Sequence, residues 1–275
     1  MKSKKKDITV TLISTGVALI FLLPIVWMIF TSFKELGESL STSSLVPKSW
    51  TIENYTSIFG ADADAPILTW LMNTAIVTTA GTALVVFVDV LAAYTLARLN
   101  LPGKKIFLSI VVGALTIPGI VTLFPAFFLF REVGYLDTYA PLILPYSAGT
   151  MGVFLIYNFL RDFPRDLEEA AIIDGASLWH ILRHVIMPTI KPVVATLTVI
   201  TFLAIYNDFL WPSLVTSSDD MKTATVGLAN LIQGSNFVNP GKMMASTVVA
   251  TVPALIIFIF ANKYFVRSVT NTGIK

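Results

Sequence analysis

Six stretches that carry no charge, or a single acidic residue, occupy most of this chain: Ile8 to Phe30, Leu68 to Ala97, Ile106 to Phe130, Leu142 to Leu160, Val193 to Leu214 and Met243 to Asn262. A helix needs about 20 apolar residues to cross ~30 Å of hydrocarbon, so each stretch is long enough to span a membrane, the fourth being the shortest. Soluble domains carry roughly 25% charged residues, whereas this chain has 13% and a mean hydropathy of +0.76. The expected fold is therefore an all-α integral membrane protein, with six transmembrane helices forming a single transmembrane domain over residues 1–275. Six spans leave too little of the 275 residues for a large catalytic domain beside them. The absence of cysteine excludes disulfides, thiolate metal sites and thiol catalysis. A formal charge of +2 is too small to point to nucleic acid.

The lysines at positions 2, 4, 5 and 6 precede an apolar run longer than a secretory signal core, closed by Trp27-Met28-Ile29-Phe30 without a small-residue cleavage site. The run reads as a retained first helix. With a cytoplasmic amino terminus and six spans, 14 basic residues fall inside: the four lysines, Arg98, Lys104, Lys105, Arg161, Arg165, Arg183, Lys191, Lys263, Arg267 and Lys275. Five fall outside, at Lys34, Lys48, Arg131, Lys222 and Lys242. That bias predicts both termini in the cytoplasm, with the chain crossing the membrane several times.

The segment from Arg161 to Lys191 is the only long cytoplasmic one, and it reads as two short helices at an angle. Asp166, Glu168 and Glu169 suit the positive end of the first helix dipole, and Gly175 suits the left-handed position that ends it. Ser177 can cap the second helix, Leu178 to Val185, before Pro188 and Pro192 interrupt the chain at the membrane. The apolar residues Leu167, Ala170, Ala171, Ile173, Ala176, Leu178, Ile181 and Leu182 exceed what a solvated loop needs. They point either to packing under the chain's own bundle or to a protein partner.

Glu169-Ala170-Ala171, three residues, Gly175, nine residues, Val185, one residue and Met187-Pro188 resemble the E-A-A-x3-G-x9-I-x-L-P motif of permease subunits in binding-protein-dependent ABC importers. Val185 and Met187 replace Ile and Leu with apolar residues of similar size. Pro24 to Trp27 with Ser32-Phe33-Lys34, Ala92 to Arg98, Pro102 to Lys104, Leu136 to Thr138, Ile143 to Pro145 and Asn207 to Pro212 are similar to the carbohydrate branch, in particular its shorter, maltose-type second permease. The resemblance implies that the 161–191 loop docks in a cleft of a cytoplasmic ATPase. Glu169 would pair with a basic group there, Ala170 and Ala171 would allow close approach, Gly175 would make the bend, and Asp174 and Pro188 would flank it. It further implies a heterodimer with a second permease, two ATPase subunits that bind ATP and Mg2+, an extracytoplasmic sugar-binding protein, and a di- or oligosaccharide as substrate. No cofactor is expected in this chain itself.

Sugar recognition needs hydrogen-bonding groups beside flat apolar faces. Tyr206, Asn207, Asp208 and Trp211, at the outer end of the fifth stretch, offer both kinds. Asp208 and Asp89 are the two acidic residues inside the stretches, and an intramembrane carboxylate is a candidate site by default. Helix packing and interface anchoring account equally for these groups, and most readily for Tyr206 and Trp211. Pro118, Gly119, Pro125 and Pro253 break the helix ladder where a bundle bends or lines a cavity. In the outer loop from Val215 to Lys242, Asn236, Asn239 and Gly241 are candidate contacts for the binding protein; ordinary loop solvation is the other explanation.

Two rival functions compete with this reading, an intramembrane enzyme and an ion-coupled secondary transporter. An intramembrane enzyme lacks a Gly-x-Ser-x-Gly or His-Glu-x-x-His motif, and a zinc site at His180 and His184 lacks a third ligand other than acidic residues. An ion-coupled secondary sugar transporter is the main alternative, but it needs coupling carboxylates in the spans and usually an internal repeat. The chain has no Gly-x-x-x-x-Gly-Lys-Ser/Thr loop, so ATP-driven transport requires an ATPase on another chain.

Overall fold

A computed structural model describes residues 2–41, 44–60, 65–233 and 239–271. In chain order the helices are α1 (Lys2–Ser32), α2 (Leu36–Ser39), α3 (Glu53–Phe59), α4 (Ile67–Arg98), α5 (Lys104–Ala114), α6 (Gly119–Glu132), α7 (Tyr139–Ile143), α8 (Met151–Arg161), α9 (Asp166–Ile173), α10 (Leu178–Ile181), α11 (Met187–Tyr206), α12 (Leu210–Val215), α13 (Ala224–Gln233) and α14 (Pro240–Asn271). A 3-10 turn, Leu144–Ala148, follows α7, and a π turn, Leu182–Ile186, joins α10 to α11. Among the described residues, five helical segments are long and apolar enough to cross a membrane: Thr9–Ser32, Ile67–Arg98, Tyr139–Arg161, Leu178–Tyr206 and Pro240–Phe260. A sixth forms if the bent pair α5 and α6 counts as one span. The expected all-helical membrane fold is what the chain adopts.

Three of the expected elements differ in shape. The third stretch is not one straight helix: α5 and α6 meet at 100°. Pro118 has no N–H to continue the ladder and disfavours helical backbone at Ile117, so the chain turns there and restarts at Gly119. The fifth stretch ends at Tyr206 rather than Leu214, and α12 is a separate short helix after a break that contains Asp208. The third difference corrects the reading of Pro188 and Pro192 as interruptions. Leu178–Tyr206 is one continuous helix, with Pro188 in the first turn of α11 and Pro192 inside it. The π turn lies immediately before Pro188, where its wider backbone accommodates a residue that cannot donate to the preceding turn.

The chain forms two compact units. The first comprises residues 1–69 and 224–253. Here the loop after α1 is anchored by Asn54, whose side-chain amide donates to the carbonyls of Ser32 and Lys34 at 2.9 and 2.8 Å. Lys34 is buried and donates to the Ser44 carbonyl. The Glu38 carboxylate accepts from the Lys48 N–H at 2.9 Å and from the Ser44 hydroxyl at 2.9 Å, and the Lys48 bond is the main reason its carboxyl is held below the usual range.

The second unit comprises residues 70–223 and 254–275. Its core forms where Val90, Ala93 and Ala97 of α4 meet Ile156 and Leu160 of α8 and Ile181, Ile186 and Ile190 of the Leu178–Tyr206 helix. Ile181 and Leu182, expected on the docking loop, are part of this core, which leaves only some of the loop's apolar residues for a partner. Another cluster joins Val77, Leu142, Ile205, Trp211 and Val215.

Asp137 clips the turn after α6 to the end of α12. It holds the left-handed backbone conformation, φ 59°, which Asp tolerates better than most residues. Its Oδ1 accepts from the N–H groups of Ser217 and Ser218 at 2.9 and 3.1 Å. Partial burial pushes this carboxyl up, but the bonds from Ser217 and Ser218 pull it further down, so it lies below the usual range. The clip's contribution is present above the unfolded carboxylate's pKa, near 4, and is lost as pH falls through the lower folded value. Asp137→Ala is expected to cost about 2 kcal/mol through the lost charge-assisted bonds. Asp137→Asn, which tolerates the backbone and keeps an acceptor, should lose less. Melting of the detergent-solubilised variants at pH 7 checks the order; an alanine variant as stable as the parent would remove the clip.

Candidate functional site: a pinned helix and a separate cavity

The first helix of the 161–191 loop is held from behind. Arg98, the last residue of α4, places its Nε 2.7 Å from Glu168 Oε1, and the two side chains are only 4% and 10% exposed. The same guanidinium donates to the Phe163 carbonyl at 3.0 Å, and Arg165 donates to the Ala97 carbonyl at 3.4 Å. Burial pushes the Glu168 carboxyl up although Arg98 and Arg165 pull it down. Successive side chains on a helix point about 100° apart, so burying Glu168 turns Glu169 and Ala170 out to solvent, where both are exposed.

The end of α9 is a Schellman turn. The Ala176 N–H donates to the Ala171 carbonyl at 2.9 Å and the Gly175 N–H to the Ile172 carbonyl at 3.0 Å. Gly175 takes φ 80°, and Ala171 and Ala176 both pack on the core beneath. Ser177 then caps the next helix by accepting from the His180 N–H at 3.3 Å. This leaves Leu167, Ile172, Ile173, Leu178 and Trp179 exposed around the turn, with Ile173 85% accessible. Asp174 is also exposed, and Pro188 lies on the exposed side of the continuing helix. Of the loop residues singled out by sequence, Glu169, Ala170, Asp174 and Gly175 thus share one outward surface, while Ala171 is half-buried. Sequence reading missed Glu168 and Arg98 as a pair; both were in view, but nothing in the spacing of 70 positions ties them together.

The four substrate-path candidates separate. Asp208 and Trp211 line a cavity of about 410 Å3 with Gly119, Thr122, Ala126 and Tyr146. Tyr146 Oη donates to Asp208 Oδ2 at 2.8 Å. Tyr146 follows the Ile143 to Pro145 run noted above and was the missed member; an aromatic hydroxyl next to a helix-breaking proline was the available signal. Trp211 is buried, and its indole N–H donates to the Pro141 carbonyl at 2.7 Å, so it is chiefly a packing residue. Asn207 turns back on its own helix, its amide donating to the Leu203 carbonyl at 2.8 Å. Tyr206 is buried with its ring stacked on Phe202. Asp89 lies outside this cavity; it is 1% exposed, with its carboxylate against Gly152.

The binding-protein candidates also part. Asn236 lies outside the described residues. Asn239 caps α14, its Oδ1 accepting from the Lys242 N–H at 3.1 Å. Gly241 is a correction: it is buried rather than at a loop tip, and a Cβ there would sit 2.6 Å from Asn54 Nδ2 and 3.0 Å from the Lys34 carbonyl. A glycine is needed because two backbones approach closely.

The chain thus combines helices long enough to cross a membrane, a cavity lined by Asp208 and Tyr146, and a short helix held against the end of α4. Residues 89–271 match the model of the binding-protein-dependent transport system inner membrane component family, and the chain belongs to that family. It is 32% identical over 256 residues to the diacetylchitobiose uptake system permease protein NgcG of Streptomyces coelicolor, covering 92% of this chain and 84% of that one. It is also 32% identical over 261 residues to the trehalose/maltose transport system permease protein MalG of Thermococcus litoralis, covering 94% and 93%. In structure it is similar to a chain of a bacterial ABC transporter involved in import of the acidic polysaccharide alginate, with TM-score 0.84, 21% identity and coverage of 96% and 98%. The fold is therefore that of an ABC importer permease. The ion-coupled secondary transporter is left without support.

Proposed function

We propose that this chain forms half of the translocation pathway of an oligosaccharide importer, paired with a second permease and resting on cytoplasmic ATPase subunits that bind ATP and Mg2+. The observation that carries this is the pinned helix: a buried Arg98–Glu168 pair fixes the inner side of α9, while Glu169, Ala170 and the apolar Ile172 and Ile173 face out. A helix fixed to α4 on one face and open on the other suits a lever through which ATPase closure moves the spans. The placement of 14 basic residues supports a cytoplasmic position for α9 and for both termini.

The names of NgcG and MalG support a di- or oligosaccharide substrate for this chain too. A further neighbour, with TM-score 0.65, 17% identity and coverage of 95% of each chain, comes from an alginate transporter in complex with its oligosaccharide-bound periplasmic protein, which supports delivery by an external binding protein. On this reading the Tyr146–Asp208 pair faces the sugar, with Asn239 near the binding protein. The test is uptake of a panel of labelled oligosaccharides by cells with and without the gene. Loss of uptake of one or a few sugars is expected, and unchanged uptake of all of them would sink the proposal.

A further inference from the structure

The cavity beside Asp208 has a definite hydrogen-bonding character. Four side chains with polar atoms line it, Thr122, Tyr146, Asp208 and Trp211, among Gly119, Ala126 and other apolar groups. Each proton that the neutral members own is directed back into the chain. The Thr122 hydroxyl donates to the Gly119 carbonyl at 2.9 Å, the Tyr146 hydroxyl to Asp208 Oδ2 at 2.8 Å and the Trp211 indole N–H to the Pro141 carbonyl at 2.7 Å. What these side chains keep for a ligand is therefore lone pairs, on the two hydroxyl oxygens and the carboxylate. Asp208 is also the only charged side chain lining this cavity among the described residues. A second cavity, of about 650 Å3, shares Gly119, Thr122, Ala126 and Tyr146 with the first, adds Thr150 as its one further polar side chain and is lined by no charged one.

An acceptor-lined cavity with one negative charge takes sugar hydroxyls, which can donate, or an ammonium group. It disfavours a sugar carboxylate, which brings a like charge and no proton. The counterweight is the amino end of α6, whose first residues, Gly119 and Ile120, also line the cavity. A helix end carries about half a positive charge against the full negative charge of a carboxylate, so the sum stays negative. We propose that this cavity selects saccharides without negative charge, neutral or amino-substituted, and that Asp208 is the residue that sets the preference. Such a preference presupposes the permease reading above and narrows its substrate class. It does not depend on the side of the membrane to which the cavity opens.

Because the chain has no cysteine, the charge of the cavity can be read directly. Ala126→Cys places a single thiol on the wall, and the chain, purified with the subunits that accompany it, is treated with a cationic trimethylammonium-ethyl or an anionic sulfonato-ethyl methanethiosulfonate. The thiolate forms a disulfide and methanesulfinate leaves, which adds a defined mass to this chain; each rate is divided by that of the same reagent with a free thiol in solution. A preference of about tenfold for the cation is expected, the size of a charge contact partly screened by water. Asp208→Asn, which can still accept from Tyr146, should bring the ratio to about one. Equal rates with Asp208 in place, an unchanged ratio in Asp208→Asn, or no reaction with either reagent would overturn the proposal. The labelled panel, with neutral, amino and uronic oligosaccharides in it, tests the sugar itself. A neutral or amino sugar is expected to be the one whose uptake is lost without the gene, whereas a uronic or sulfonated sugar would overturn the charge preference and leave the permease reading standing. Unchanged uptake of every sugar removes the permease reading, and the selectivity with it, even where the reagents find a negative cavity.

Discussion

Arg98→Met is expected to release α9 from the end of α4 and to lower transport sharply. The substitution keeps the length of the side chain but leaves Glu168 buried without its cation and the Phe163 carbonyl without a donor. Breaking a buried pair from one side costs about 3–5 kcal/mol, because the surviving charge is uncompensated. At the lower figure the fraction of molecules with α9 detached rises about a hundredfold. Hydrogen exchange across residues 166–173 measures that opening directly and should accelerate in proportion. Glu168→Gln should do less harm, since a neutral amide can still accept from the guanidinium. The double variant Arg98→Met with Glu168→Leu should recover most of the stability, as apolar replacements of buried pairs often do. Unchanged exchange in Arg98→Met would mean that the pair does not hold the helix.

Gly175→Val is expected to separate ATP hydrolysis from sugar uptake. No atom lies within 4 Å of where a Cβ at Gly175 would sit, so the substitution meets no clash inside the chain. Its cost is in the backbone: φ is 80°, and a left-handed conformation costs an ordinary residue about 1–2 kcal/mol and a β-branched one more. Relieving that strain breaks the Schellman bonds from Ala176 and Gly175 and re-aims α9 relative to the helix that begins at Leu178. Uptake should fall about tenfold or more while the amount of chain in the membrane is unchanged and nucleotide hydrolysis by the assembled importer continues. Gly175→Asn, which tolerates the same backbone, should keep most of the transport. Normal uptake by the valine variant would refute a coupling role for this turn.

Much of this was legible because it depends on neighbours in the chain. Asp166 to Gly175 read correctly as a short helix with an acidic first turn, ended by a left-handed glycine, since helix-dipole and turn chemistry act over four or five residues. The helical break at Pro118 was legible for the same reason, although its 100° angle was not. Pro188 misled because a π turn one residue earlier relaxes the rule that proline ends a helix in the interior, and no residue type announces a π turn. Gly241 misled because a glycine in a polar loop and a glycine at a close crossing of backbones look the same until Asn54 is placed beside it.

The sequence by itself determined that the chain lies in a membrane, that six stretches are apolar enough to cross it and which short segment carries the E-A-A-like motif. Those properties follow from the transfer of apolar side chains out of water and from local backbone preferences, which each segment expresses without the rest. Only the tertiary structure decided that Arg98 holds Glu168, that Tyr146 meets Asp208 and that Trp211 is spent on packing. Each of those depends on helix crossings that join residues as far apart as 70 positions. Crossing geometry comes from the summed packing of whole helix faces, and no short stretch of sequence contains it.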